Sequence, residues 1–197
     1  MTERRKEIWD AEAASFDEQP DHGLRDLSVR AAWSDLLLPL MPTAPATVVD
    51  LGCGTGSLAV LLAQAGYAVD GVDLSSRMLA VAKEKAEAAG VSVGLREGDA
   101  AKPPCSPGTF DVVLARHVLW AMPDPAAALG NWVRLLKPGG RLVLVEGRWF
   151  TGAGISADEC ERLVRARRED ATVTLLDDPA LWGGPIEDER YLLVSRS

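Results

Sequence analysis

The sequence predicts an α/β protein with a mostly parallel sheet covered by helices on both faces. Three observations carry this. From about residue 46 onward, short apolar runs alternate with segments of helical period, the pattern of strand–helix–strand crossovers. Residues 48–66, VVDLGCGTGSLAVLLAQAG, read as a strand, a glycine-rich turn and an apolar helix. Charged residues (Asp50, Asp73, Asp99, Arg116 and Glu146) sit at or just beyond strand ends, where open parallel sheets bind ligands.

Taken in order, residues 1–40 form a helical region with apolar positions at Ile8, Trp9, Ala13, Phe16, Leu24, Leu27, Val29, Trp33, Leu36 and Leu37. PTAPAT (42–47) is a turn into the first strand, which ends in Asp50. Gly52, Gly54 and Gly56 follow. Glycine takes positive φ freely and lets a ligand reach bare backbone. The helix after it, at about 56–65, offers unpaired N–H groups and the positive end of its dipole. The unit therefore suits a ligand with an anionic or acceptor-rich end. A second strand, 68–75, ends in Asp73. That residue lies 21 positions beyond Gly52, where an acid can accept both hydroxyls of a ribose.

A helix at 76–89 is stopped by Gly90. A third strand, 91–99, ends in Asp99, and a fourth, 110–115, leads into Arg116 and His117. A helix over 124–136 gives way, in LLKPGGRLVLVEG (135–147), to a turn and a fifth strand. A helix at 157–168 opens on Ser156 with Glu159 three residues on, a capping box. Two strands, 171–176 and 190–196, close the chain. Arg162, Arg165, Arg167 and Arg168 read as a solvated helix face.

The glycine spacing narrows the ligand. A dinucleotide fingerprint has the form G-x-G-x-x-G, whereas here the third glycine comes one residue early and Ser57 stands in its place. No G-x-x-x-x-G-K-[ST] is present, which argues against a triphosphate loop. The G-x-G-x-G form, with the acids at 73 and 99 and the LLKPGG block, resembles the class I methyltransferases that use S-adenosylmethionine. The resemblance is close over about residues 46–147 and loose elsewhere.

It implies a Rossmann-like three-layer sandwich with a seven-stranded, mostly parallel sheet whose last strand is antiparallel. It implies one domain, 1–197: a helical N-terminal lid (1–40), a cofactor-binding core (46–147) and a C-terminal helix and strand pair (148–197). S-Adenosylmethionine would be held by Asp50, Gly52, Cys53, Gly54, Gly56, Asp73, Leu74, Asp99, Ala100 and Arg116. Asp73 would take the ribose, Asp99 the adenine amine and Ala100 N–H the ring, with the methionine end at the glycine turn and Asp50. Phe16-Asp17 resembles an aromatic–acid pair that closes over the cofactor. Cys53 is a small neutral spacer.

Acceptor chemistry is less constrained. His117, after the fourth strand, is a candidate general base, since histidine titrates near working pH. His22, in the N-terminal segment, and Arg116 are further catalytic candidates. Trp120, Glu146, Arg148 and Trp149 are candidate pocket walls, while Trp149 and Trp182 also read as core or interface aromatics. The expected reaction is methyl transfer to O, N, S or C of a small molecule, giving S-adenosylhomocysteine. The alternatives are a peptide or protein acceptor, or a cofactor-binding domain without catalysis. No sizeable insertion follows the fifth strand or separates the last two, so the N-terminal 40 residues must supply most of the cover.

Composition excludes other classes. The net charge is −8, which disfavours nucleic acid. Three cysteines (Cys53, Cys105 and Cys160) lack paired spacing, so neither a disulfide framework nor a structural metal site is expected. No apolar run approaches membrane-spanning length, and MTERRKEIWDAE has no apolar signal region. A cytoplasmic monomer or homodimer is expected.

Overall fold

The computed structural model describes residues 2–196. In chain order the helices are α1 (Thr2–Glu12), α2 (Pro20–Gly23), α3 (Leu27–Leu37), α4 (Ser57–Gln64), α5 (Ser76–Ala88), α6 (Pro125–Leu135), α7 (Ala157–Arg165) and α8 (Pro179–Trp182). The strands are β1 (Thr47–Leu51), β2 (Ala68–Asp73), β3 (Gly94–Glu97), β4 (Phe110–Arg116), β5 (Leu136–Arg148), β6 (Thr172–Leu175) and β7 (Glu189–Ser195). They form one seven-stranded sheet in the order β3-β2-β1-β4-β5-β7-β6. Pairing is parallel from β3 to β5, and β7 runs antiparallel to both β5 and β6. This is the expected architecture, with the reversed strand inserted beside β5.

Alternation along the central strands divides the core in two. Val49, Leu51, Val113 and Leu144 face one cluster, with Leu129 and Trp132 of α6 and Val164 of α7. Val48, Leu114, Val143 and Val145 face the other, with Trp33 and Leu37 of α3, Leu62 of α4 and Leu181 of α8. Period-two alternation with both faces covered explains why these strands are apolar on both sides. Asp50, Asp73 and Glu146, toward the carboxyl ends of β1, β2 and β5, are buried charged exceptions, Asp50 being 3% exposed.

Several boundaries differ from expectation. β3 is limited to four residues, because Val91 N–H donates to Ala86 O at the end of α5. That bond commits the preceding stretch to the helix end. The KPGG stretch is no separate turn. Leu136 pairs with Phe110 and Arg141 with Val112, so KPGG bulges inside β5. α7 ends at Arg165, which takes Arg168 off the helix face. Arg168 is 8% exposed, and its guanidinium donates to Ser195 Oγ (2.6 Å) and Gly140 O (2.8 Å). It is a buried clamp between β5 and β7, a correction to its reading as solvated. In the N-terminal region Trp33 and Leu37 are core, but Ile8 and Leu27 are exposed. Among the described residues no helix is long and apolar enough to cross a membrane.

Candidate active site

β1, β2 and β4 deliver the candidate residues to one edge of the sheet. After β1 the chain turns through Gly52, Gly54 and Gly56 with φ of 68°, 54° and 75°. A Cβ on Gly52 would lie 2.5 Å from Val118 Cγ2, and one on Gly56 would lie 2.8 Å from Ala82 Cβ. Conformation and space thus both demand glycine at these two positions. Gly52 and Cys53 N–H donate to Val72 O at 2.7 and 3.1 Å. Asp73 braces the turn from β2, with Oδ2 accepting from Gly54 N–H (2.9 Å) and Oδ1 from Ser75 N–H (2.8 Å). Both oxygens keep a free lone pair. Burial raises the Asp73 carboxyl pKa against the pull of these backbone donors. Cys53 is buried, and burial pushes its thiol well above the ordinary value, so it stays neutral.

A cavity of about 460 Å³ opens above these strand ends, within the usual range for ligand pockets. Of the residues expected at a cofactor, Asp50, Gly52, Cys53, Gly54, Asp73, Leu74, Asp99, Ala100 and Arg116 line it. Gly56 does not, being the N-cap of α4 packed on Ala82. Asp50 faces the cavity and accepts no hydrogen bond from the described residues. Burial, reinforced by Asp73 and opposed by Arg116, lifts its carboxyl to about 7. Asp99 accepts from Ala101 N–H (2.9 Å) and, across the site, from Arg5 (3.4 Å).

His117, His22 and Arg116 line the same cavity. His117 sits at φ 58°, a left-handed conformation uncommon for a residue with a side chain. Its ring lies edge-on to Trp149 at 5.3 Å and tilted to Trp182 at 6.1 Å. Both ring nitrogens are buried without a partner. Burial, with Arg116 and Arg190 nearby, drives its pKa well below the ordinary 6.5. His22 stacks on Phe16 at 4.2 Å, and burial lowers its pKa as well. Arg116 donates to Asp21 O and lies 5.0 Å over the Trp33 ring.

Trp120 and Trp149 line the cavity, whereas Glu146 and Arg148 do not. Glu146 is fully buried beneath the loop that carries His117. Its Oε1 accepts from Val118 N–H (2.9 Å) and Leu119 N–H (2.6 Å), and burial lifts the carboxyl to about 8. Trp182 is buried against Trp33. The sequence reading missed Arg5, Trp9, Gln19, Asp21, Met122 and Arg190 as wall residues. No local spacing marks them, since all but Met122 come from the two chain ends.

The N-terminal segment covers the cavity and is fastened in two ways. α1 is held from outside: Arg5 reaches Asp99 and Ala121 O, Lys6 reaches Glu97, and Asp10 accepts from Ser75 Oγ (2.5 Å). Residues 16–25 are held from inside. Asp17, expected over the cofactor, instead turns away and pairs with Lys85 Nζ (2.8 Å) and the Thr55 hydroxyl. Lys85 also donates to Ser57 Oγ (2.7 Å), and Ser57 donates to Gly23 O (3.3 Å). The serine that departs from the dinucleotide pattern is thus part of this strap. Lys85→Ala leaves the Asp17 charge buried with only the exposed Arg25 within 4 Å. Breaking a buried pair of this kind costs about 3 kcal/mol. Urea unfolding of Lys85→Ala is expected to show that loss, and an unchanged midpoint would refute the strap.

Residues 49–144 match the family described as methyltransferase domain. The chain is 42% identical over 123 residues to a demethylmenaquinone methyltransferase of Thermus thermophilus, covering 61% of this chain and 54% of that protein. It is 38% identical over 137 residues to a ubiquinone biosynthesis O-methyltransferase of Pseudomonas paraeruginosa, covering 69% and 56%. The chain therefore spans about half the length of the curated relatives it matches. Among solved structures, a cyclase, SpnF, aligns with a TM-score of 0.72 at 22% identity over 84% of this chain and 80% of that one. The geranyl diphosphate C-methyltransferase of Streptomyces coelicolor, with S-adenosylhomocysteine bound, aligns at 0.70 and 19% identity over 84% and 75%. At such identities these two show the shared fold alone, and a fold does not by itself specify a reaction.

Proposed function

Because residues 49–144 belong to the methyltransferase-domain family, of the class I kind that uses S-adenosylmethionine, we propose that this chain transfers a methyl group from S-adenosylmethionine to a small-molecule nucleophile by in-line displacement. One observation carries the reading: a single cavity is lined by Asp50, Asp73 and Asp99 and also by His117 and His22. The residues fit the cofactor. Asp50 is an acceptor without a donor, suited to the ammonium of the methionine end. Gly52–Gly54 offer close-approach backbone, Asp73 has two free lone pairs for a ribose diol, and Asp99 with Ala100 suits an adenine edge. When bound, the cofactor supplies an electrophilic methyl on a sulfonium sulfur.

What remains for the protein is positioning, water exclusion and one proton. Positioning alone supplies on the order of 7–11 kcal/mol when the reacting groups are aligned. Phe16, against Gly54 of the glycine turn, and Trp120 and Trp149 wall the cavity against water. His117, neutral and with both nitrogens free, takes the proton of an acceptor hydroxyl. The covered cavity favours a small acceptor over a peptide.

Calorimetric titration with S-adenosylhomocysteine tests the reading, with NAD as control. Micromolar binding of the first and none of the second is expected; the reverse overturns the proposal. Affinity also carries a pH signature. With Asp50 near 7, ionisation is nearly complete at pH 8 and slight at pH 6, and the ligand ammonium pairs only with the ionised form. Binding is expected to weaken about tenfold from pH 8 to pH 6 and to lose that slope in Asp50→Asn. A flat profile in the wild-type chain would remove Asp50 from the ammonium site. The stability of the ligand-free protein is expected to follow the opposite trend. A carboxyl raised above its unfolded value costs stability above pH 7, and the cost fades as pH falls toward 3.8.

A further inference from the structure

Behind the loop that carries Asp99, two neighbouring residues of α6 hold two neighbouring carbonyls. Trp132 Nε1 donates to Ala100 O (2.6 Å), and Asn131 Nδ2 donates to Ala101 O (2.6 Å). Neither Trp132 nor Asn131 lines the cavity, whereas Asp99 and Ala100 do. Successive side chains leave a helix about 100° apart, so gripping both carbonyls lays the loop along the flank of α6. Burial accounts for the first bond, since Trp132 is fully buried and a buried indole N–H needs an acceptor. It does not account for the second, because Asn131 is only half-buried and water could serve it.

The grip reaches the cavity through one peptide. Its oxygen, Ala100 O, is held by Trp132, and its N–H, on Ala101, donates to Asp99 Oδ1 (2.9 Å). Asp99 O accepts from Lys102 N–H (2.9 Å), and Gly98 N–H ties the start of the loop to Asp73 O (2.9 Å). The Asp99 carboxylate is thereby pinned by one oxygen. The other, Oδ2, is left on the side where Arg5 meets it at 3.4 Å. Ala100 N–H donates to no group among the described residues. A fixed acceptor beside a free donor complements the edge of adenine, whose 6-amino group donates and whose N1 accepts. Hypoxanthine reverses both, with a 6-oxo group and an N1–H. A site held rigid from behind rejects the reversed pattern, and a loose one adapts to it.

We infer that Trp132 and Asn131 are positioning residues for the base, which fix the 99–101 loop from behind and so set the preference of the site for adenine over hypoxanthine. The inference rests on the methyltransferase reading and deepens it. Calorimetric titration with S-adenosylhomocysteine and with its deaminated analogue, S-inosylhomocysteine, tests it. The wild-type chain is expected to prefer the adenosyl ligand by at least about tenfold, the scale of one misread base edge.

Trp132→Phe keeps an aromatic ring and removes the N–H. Its affinity for the adenosyl ligand should fall about tenfold, while that for the inosyl ligand stays within about threefold. Asn131→Ala, at a half-buried position, should shrink the preference in the same direction and tests the grip even if Trp132→Phe fails to fold. Titrations are run below the melting midpoint of each variant. The ratio separates positioning from packing, since a damaged fold lowers both affinities alike. Equal affinities of the wild-type chain for the two ligands, or an undiminished ratio in either folded variant, overturn the inference while the cofactor result stands. No binding of S-adenosylhomocysteine to the wild-type chain overturns the methyltransferase reading, and the inference with it.

Discussion

Asp73→Ala is expected to abolish measurable binding of S-adenosylhomocysteine. The carboxylate joins three parts of the site at once. It accepts from Gly54 N–H in the glycine turn and from Ser75 N–H before α5, and it turns its remaining lone pairs into the cavity. Two hydrogen bonds from ribose hydroxyls to a charged acceptor contribute about 1.5–3 kcal/mol each, so their loss lowers affinity by about 10² to 10⁴-fold. The alanine also frees the turn that carries Gly54. Asp73→Asn is the sharper variant. It preserves volume but points an NH₂ at one of the two backbone N–H groups, so it too should bind poorly. Near-normal affinity of either variant in calorimetry would refute the ribose assignment.

His117→Ala is expected to slow turnover on an accepted hydroxyl substrate by at least a hundredfold, the usual scale for loss of a general base. S-Adenosylhomocysteine affinity should stay within about threefold, since the glycine turn, Asp73 and Asp99 are untouched. Alanine at φ 58° adds backbone strain, so His117→Asn, which tolerates that conformation, is the necessary companion. If Asn restores turnover, the imidazole is not the base. The pH profile gives a second readout. A base works when deprotonated, and His117 is held well below 6.5 by burial and by the two arginines. At saturating cofactor, turnover should therefore persist through neutral pH and fall only as pH drops below the ordinary histidine range. The Asp50 effect near pH 7 belongs to cofactor affinity instead. A turnover limb centred at 6.5 or above would mean that another group takes the proton.

The sheet and the cofactor end were legible because their signals are local. Strand, turn and helix follow within 48–66, Asp73 ends the next strand and Asp99 lies two residues past the one after, so spacing points to the first and the family resemblance to the second. The acceptor end was half legible. His117, Trp120 and Trp149 follow β4 and β5 directly. Arg190 lies in the final strand, and Arg5, Trp9 and Gln19 lie far upstream. Their neighbours are distant in sequence: Arg5 meets Asp99 across 94 residues, and Trp33 Nε1 reaches Leu181 O across 148. Only packing of the N-terminal segment against the strand ends creates those contacts. Glu146 shows the opposite error. Its place at a strand end marked it as a wall residue, but the side chain points beneath the loop and fixes Val118 and Leu119. Asp17 was misread for the same reason, since a position beside Phe16 does not say which way a carboxylate turns.

The two fastenings of the N-terminal segment differ in strength, and this gives the cavity a front door and a back wall. α1 hangs over the adenine end by ion pairs whose side chains are a quarter to a half exposed, the sort that contribute little and weaken in salt. Residues 16–25 are tied over the glycine turn by the buried Asp17–Lys85 strap. Local opening takes the cheaper route, so the nucleoside should come and go past α1 while the glycine turn keeps its roof. Traffic through the site would then have an order. Raising ionic strength should quicken release of the nucleoside product, and amide protons in residues 2–12 should exchange with solvent well before those in residues 20–24.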